Sequence, residues 1–125
     1  MGRKVLVIDD DVPIITIVKV ALELTAGWHV LSTTSGQEGV AIATAEKPDA
    51  ILLDVTMPKL DGKAVLKLLQ AQTETQEVPV IFLTAQARAS EQKALKALGV
   101  AGVLIKPFSP NTIATQIKTI LGWSD

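Results

Sequence analysis

Cysteine is absent from the 125-residue chain, and so is tyrosine. The first absence removes disulfides, thiol nucleophiles and cysteine-ligated zinc, and it suits a reducing compartment. With one histidine, His29, a zinc site has almost nothing to draw on. Basic clusters are missing too. The net charge is −1 and the lysines and arginines are scattered, so no field favours nucleic acid or an anionic membrane. Long apolar runs are lacking. Val5–Ile8 is too short for the core of a secretory signal, Leu6 sits where a myristoylation signal needs Ser or Thr, and no segment nears the ~20 apolar residues of a membrane helix. Repeats, low-complexity tracts and linkers are also absent. A soluble, cytoplasmic chain is expected, forming one domain over residues 1–125 with its core in about 4–121.

What is present is a compact mixture, 48% hydrophobic and 20% charged, able to bury a core without staples. Short β-branched runs alternate with helix-like stretches. Strands are predicted at Val5–Ile8, His29–Thr33, Ala50–Leu53, Val80–Leu83 and Gly102–Ile105. His29–Thr33 is the most polar and is expected at an edge. Between them, Val12–Ala26 carries Ile14, Ile17, Val18, Ala21 and Leu22 at helical spacing, with Pro13 at its start and Gly27 past its end. Ser35 caps a helix to about Ala45. Val65, Leu68 and Leu69 mark another helix face, a fourth helix spans about Ser90–Leu98, and a fifth starts at Ser109-Pro110 and carries Ile113, Ile117, Ile120 and Leu121. Apolar strands separated by helices imply an α/β fold, a parallel sheet covered on both faces.

The ends of the strands carry the chemistry. The first ends in Asp9-Asp10-Asp11, the third in Asp54, the fourth in Thr84 and the fifth in Lys106-Pro107. In an open parallel sheet these carboxyl ends share one edge, where ligands bind. Converging carboxylates repel unless a proton or a cation compensates them. A hard divalent ion with oxygen ligands is the natural solution, and Mg²⁺ commonly takes one or two carboxylates, waters and a phosphate oxygen. A Lys and a Thr hydroxyl beside it can hold phosphoryl oxygens, and a carboxylate can act as the nucleophile. Singly, each residue reads as ordinary: an Asp cap, a surface Lys, a strand-end Thr. Asp11 is expected to be only a cap. His29 is expected to be an exposed structural residue, Trp28 to pack at the edge, and Trp123 to cover the end of the last helix. Convergence on one edge overturns the ordinary reading for the rest.

The segments VLVIDDD, PDAILLDVTMPKLDG, VPVIFLTA and GVLIKPF, in that order, resemble the signature segments of bacterial response-regulator receiver domains. The resemblance covers about Lys4 to Leu121. It implies a flavodoxin-like, doubly wound fold with strand order 2-1-3-4-5. It also implies that Asp54 accepts a phosphoryl group from a phospho-histidine kinase or histidine phosphotransfer protein, in a Mg²⁺-dependent reaction. Asp10 ligates the metal directly, Asp9 supports it through water and the Thr56 backbone carbonyl contributes. Thr84 and Lys106 bind the phosphoryl group, and Lys106-Pro107 is a cis peptide. Such a domain is no enzyme beyond its own phosphorylation and dephosphorylation. Its output partner docks near the fourth helix, the fifth strand and the last helix, and it works as a stand-alone monomer.

Three rivals fit less well. A haloacid-dehalogenase-type phosphohydrolase carries a second Asp two residues past its nucleophile, where this chain has Thr56. A flavin carrier needs a Ser/Thr/Gly-rich loop after the first strand and aromatics around the ring, where this chain is acidic and lacks Tyr. A degenerate docking module would not keep the full acidic, Thr and Lys set. Some positions depart from the family pattern. Val103 stands where many receivers have Tyr or Phe, and Ala101 and Gly102 stand where one transcription-factor subfamily has acidic residues. No dimer of that subfamily's kind is expected. Val55 and Gln86 flank the site and should tune the phosphoryl lifetime.

Overall fold

A computed structural model describes residues 2–86 and 88–124. Five β/α units run in order: β1 (Lys4–Ile8), α1 (Val12–Ala26), β2 (His29–Thr33), α2 (Gly36–Glu46), β3 (Ala50–Asp54), α3 (Gly62–Gln70), β4 (Val80–Thr84), α4 (Ala89–Lys96), β5 (Gly102–Ile105) and α5 (Ile113–Leu121). The strands form one parallel sheet in the order β2-β1-β3-β4-β5. The expected fold class and strand order are therefore observed. The polar strand β2 is an edge.

Strand alternation divides the core into two layers. Val5, Val7, Leu52, Ile81 and Leu83 face α1 and α5, where Val18, Leu22, Ile113 and Ile117 meet them. Leu6, Ile8, Ile51, Leu53 and Phe82 face the other way, onto Ala43, Val65, Leu66, Leu69 and Leu95 of α2, α3 and α4. Right-handed crossovers require this arrangement. The step from β1 to β2 moves one way across the sheet and the later steps move the other, so the direction reverses between β1 and β3.

Local signals set the helix starts. The side chains of Asp11, Ser35 and Asp61 accept from the N–H groups of Ile14, Glu38 and Ala64. Gly27, at φ 70°, closes α1 in the left-handed conformation. Several expectations need correction. In α1, Ile17 is 40% exposed and lies outside the core. In α3 Leu66 is buried along with Val65 and Leu69, while Leu68 is 45% exposed. The spacing of apolar residues there admits two faces, and the turn from β3 selects one. Helix α4 ends at Lys96, two residues short of Leu98. Helix α5 begins at Ile113, because the N–H groups of Thr112 and Ile113 both fold back onto the Ser109 carbonyl and make a turn first.

Trp28 is buried and packs edge-on against Trp123, with ring centroids 5.3 Å apart and planes at 87°. The Arg3 guanidinium lies 4.2 Å from the Trp123 ring centroid. Trp123 thus ties the end of α5 to the amino edge of the sheet, opposite the acidic edge. Aromatic pairing of this geometry is worth about 0.5–1.5 kcal/mol beyond its buried area. Trp123→Ala is expected to lower the urea-unfolding free energy by about 1–2 kcal/mol. A loss below about 0.3 kcal/mol would show that the ring stabilises nothing.

Candidate functional site

Strand β1 delivers Asp9 and Asp10 to the carboxyl edge, β3 delivers Asp54, β4 delivers Thr84, and Lys106 follows β5 directly. The Asp9 N–H is bonded to the Thr33 carbonyl of β2, and the Lys106 N–H to the Thr84 carbonyl at 2.7 Å. Both residues are therefore held by extensions of the sheet ladder. The Lys106–Pro107 peptide is cis.

The side chains converge. Lys106 Nζ lies 2.8 Å from Asp9 Oδ2 and 3.4 Å from Asp54 Oδ1. One carboxylate oxygen from each of Asp9, Asp10 and Asp54 lies within 4.8 Å of the others. Asp9 is fully buried, Asp54 is buried and Asp10 is exposed. Asp9 Oδ1 accepts from the Asp11 N–H at 2.9 Å. Asp9 Oδ2 is held by the Lys106 ammonium as an ion pair outside hydrogen-bonding angles, and no other donor among the described residues reaches it. Asp54 Oδ1 accepts a long bond, 3.4 Å, from the Thr56 N–H. Thr56 is exposed at the rim. Thr84 is buried, and its Oγ1 accepts from the Gln86 N–H at 3.0 Å. Among the described residues no hydrogen bond links that hydroxyl to Asp54. Asp11 caps α1 and His29 is exposed on the edge strand.

Burial is the main reason that the Asp54 carboxyl is pushed up to about 6. The Asp9 charge adds to it, while Lys106 and the Thr56 N–H pull the other way. Burial alone would push the Lys106 ammonium down, but the close Asp9 carboxylate, and after it that of Asp54, leave it above its usual value. Three carboxylates thus face one ammonium. The donors are all oxygen, one buried carboxylate oxygen has only an ion pair, and the third carboxylate opens to solvent. This set fits a hard divalent cation that keeps some waters.

Gly62 opens α3 and packs close to β3. A Cβ there would collide with the Asp54 carbonyl oxygen and sit 2.8 Å from Val55 Cα. The Gly62 N–H also bonds to the Val55 carbonyl at 2.9 Å. The first turn of α3 therefore lies directly against the backbone that carries Asp54. The Asp61-Gly62 pair was a signal, but a turn and a close approach look alike in sequence.

The raised Asp54 value has a consequence for stability. Folding favours the neutral form, so this contribution is complete below pH of about 4 and is lost as pH rises to about 6. At neutral pH without metal, the buried anion costs at most about 3 kcal/mol. In chelator at pH 7, Asp54→Asn is expected to be more stable than the native chain by on the order of 1–3 kcal/mol. Urea unfolding should show that gap closing as pH falls toward about 4. A gap independent of pH, or of opposite sign, would contradict the electrostatic account.

Comparison with known proteins agrees with this geometry. A family model for the response regulator receiver domain matches residues 5–118. The alkaline phosphatase synthesis transcriptional regulatory protein PhoP of Bacillus subtilis is 38% identical over 125 residues, which cover 100% of this chain and 51% of that protein. The chain spans about half the length of the curated relatives it matches, among them the phosphate regulon regulator PhoB of Pseudomonas aeruginosa at 52%. Among solved structures, the chemotaxis response regulator CheY4 of Vibrio cholerae superposes with a TM-score of 0.89 at 31% identity, covering 96% of this chain and 99% of that one. The receiver domain of the sensor histidine kinase PA1611 of Pseudomonas aeruginosa, solved with a magnesium ion in its active site cleft, gives 0.84 at 28% identity, covering 98% and 99%. The chain belongs to the response regulator receiver domain family, the phosphoryl-accepting signalling module of two-component systems.

Proposed function

We propose that Asp54 is the phospho-acceptor, within a receiver core of residues 4–121. The observation that carries the assignment is the meeting of Asp54, Asp9, Asp10 and Lys106 at one edge, with Lys106 Nζ 3.4 Å from Asp54 Oδ1. The donor is a phosphohistidine on a sensor kinase or a histidine phosphotransfer protein. An Asp54 carboxylate oxygen attacks phosphorus, the phosphorus–nitrogen bond breaks, and the histidine nitrogen leaves with the electron pair. Asp10, Asp9 through water, Asp54 and the Thr56 backbone carbonyl would hold Mg²⁺. Bound there, the ion supplies positive charge against the phosphoryl oxygens. Lys106 releases Asp54 and takes a phosphoryl oxygen. Thr84 exchanges its bond from the Gln86 N–H for one to the phosphoryl group. The chain is then a signalling domain that catalyses only its own phosphorylation and dephosphorylation, acting in the cytoplasm. No helix of the described residues is long and apolar enough to cross a membrane.

Output is assigned to the face formed by α4, β5 and α5. Helix α4 buries only Leu95 and has no side-chain cap. Val103 is half-buried beside a hollow of about 290 Å³ that Thr115 and Ile120 also line. Ala101 and Gly102 offer no acidic partner there, and a Cβ on Gly102 would sit 2.7 Å from an Ile120 methyl. The phosphorylated chain is therefore read as forming no salt-bridged dimer through this face.

Acetyl phosphate or a phospho-histidine kinase should add one phosphoryl group, and Asp54→Asn should abolish it. Asp10→Ala should cripple Mg²⁺ binding. Lys106→Ala should retain it while slowing phosphoryl transfer, since the ammonium meets the phosphoryl group. Chelator should stop labelling without unfolding the chain. Mass spectrometry checks each point, and undiminished label in Asp54→Asn would remove Asp54 from the role. The switch is expected between Ala85 and Leu98, of which Ala87 lies outside the described residues. Hydrogen exchange should change across that segment when a phosphoryl mimic binds. Coupling to a partner should be roughly 1–2 kcal/mol, because Val103 is too short to refill the space a moving Thr84 leaves. A change confined to the surroundings of Val103 would contradict this.

A further inference from the structure

The turn that follows α4 is held at its middle by a side chain from another helix. Gln70, the last residue of α3, donates from Nε2 to the Leu98 carbonyl at 3.0 Å. On one side of this bond lies α4, which buries only Leu95 and starts without a side-chain cap. On the other side the Ala101 N–H is bonded to the Val80 carbonyl at 2.8 Å, so the chain is fixed to the sheet again. Between the two sits Gly99 at φ 97°, the conformation in which a residue without a side chain turns most freely. A Cβ there would lie 2.9 Å from Gln70 Nε2. Gly99 therefore supplies both a joint and the room for the Gln70 amide to reach it.

A helix that shifts against a fixed sheet must absorb the change at a few backbone positions near its end. For α4 these are Ala97 to Val100. The Leu98–Gly99 peptide is held on both of its polar groups, the carbonyl by Gln70 and the Gly99 N–H by the Lys96 carbonyl at 3.2 Å. The helix that supplies Gln70 is firmly seated. Val65, Leu66 and Leu69 of α3 are buried, and Gly62 at its other end lies against the backbone of Asp54. Gln70 thus ties the joint of α4 to the body that carries Asp54. We propose that Gln70 is a lock on this joint, holding α4 in the position described and releasing it when the domain switches. The proposal rests on the reading that a phosphoryl group on Asp54 displaces α4. A bond made in only one of two states shifts their balance by its own strength. For one exposed amide–carbonyl bond that is roughly a two- to fivefold factor.

Two substitutions at this exposed position test the lock. Gln70→Met keeps the length and removes the donor, and Gln70→Lys puts a donor back. In chelator, NMR hydrogen exchange of the Gly99 amide should be roughly two- to fivefold faster in Gln70→Met than in the native chain, because the freed peptide can turn. In saturating Mg²⁺, fluorine NMR titration with beryllium fluoride, a phosphoryl mimic, should give Gln70→Met a roughly two- to fivefold higher affinity. Gln70→Lys should fall closer to the native chain in both. Either quantity unchanged in Gln70→Met would overturn the lock, and so would equal changes in the two variants. A native chain that takes up no beryllium fluoride would overturn the Asp54 reading on which the lock rests. The two failures are distinguishable, since exchange in chelator needs neither metal nor mimic.

Discussion

Two buried carboxylates and one ammonium cannot balance their charges, and this imbalance governs the acidic edge. Asp9 is fully buried, with its Oδ2 against Lys106 and its Oδ1 on a backbone N–H. Asp54, also buried, reaches the same ammonium at the longer distance of 3.4 Å. Burial and the Asp9 charge then raise the Asp54 carboxyl to about 6, so near neutral pH it is ionised at a cost. A divalent cation bound there would relieve that cost. On the proposed function, the same strain would favour a divalent cation and phosphoryl oxygens arriving at this edge together.

The fold exists around this edge in a simple sense. The sheet direction reverses between β1 and β3, the two strands that supply the carboxylates. Gly62 lets α3 start against the Asp54 backbone, and the Lys106 N–H extends the β4–β5 ladder by one bond. Helices α1 and α5 close one face and α2, α3 and α4 the other. On the second of these, α4 buries only Leu95 and lacks the side-chain cap that Ser35 gives α2 and Asp61 gives α3. A charge placed at the edge therefore meets rigid strands below it and one loosely held helix beside it.

Much of this was legible from residues alone. Continuous apolar runs in β1, β3 and β4 are unambiguous because both faces are buried, and strand-end Asp, Thr and Lys residues are legible once the strands are placed. Helix detail was harder. Ile17 belongs to α1's periodic pattern, yet it faces solvent, since a helix with apolar residues on most sides does not declare which side is the core. Leu66 and Leu68 flank the same ambiguity in α3. The start of α5 was misplaced because Ser109-Pro110 begins a turn that precedes the helix. The Trp28–Trp123 contact joins residues 95 positions apart, beyond what spacing can reveal. Gly62's contact with the Asp54 backbone is equally a product of the tertiary fold.

Burial and the Asp9 charge hold Asp54 above its ordinary range, and a bound divalent cation would offset that strain. Carbon-13 NMR of the Asp54 carboxyl group, titrated in chelator and again in saturating Mg²⁺, measures it directly. The account predicts a midpoint of about 6 in chelator, falling by more than about one unit once the metal is bound. A midpoint of about 4 in both conditions, or one that Mg²⁺ leaves in place, would contradict it.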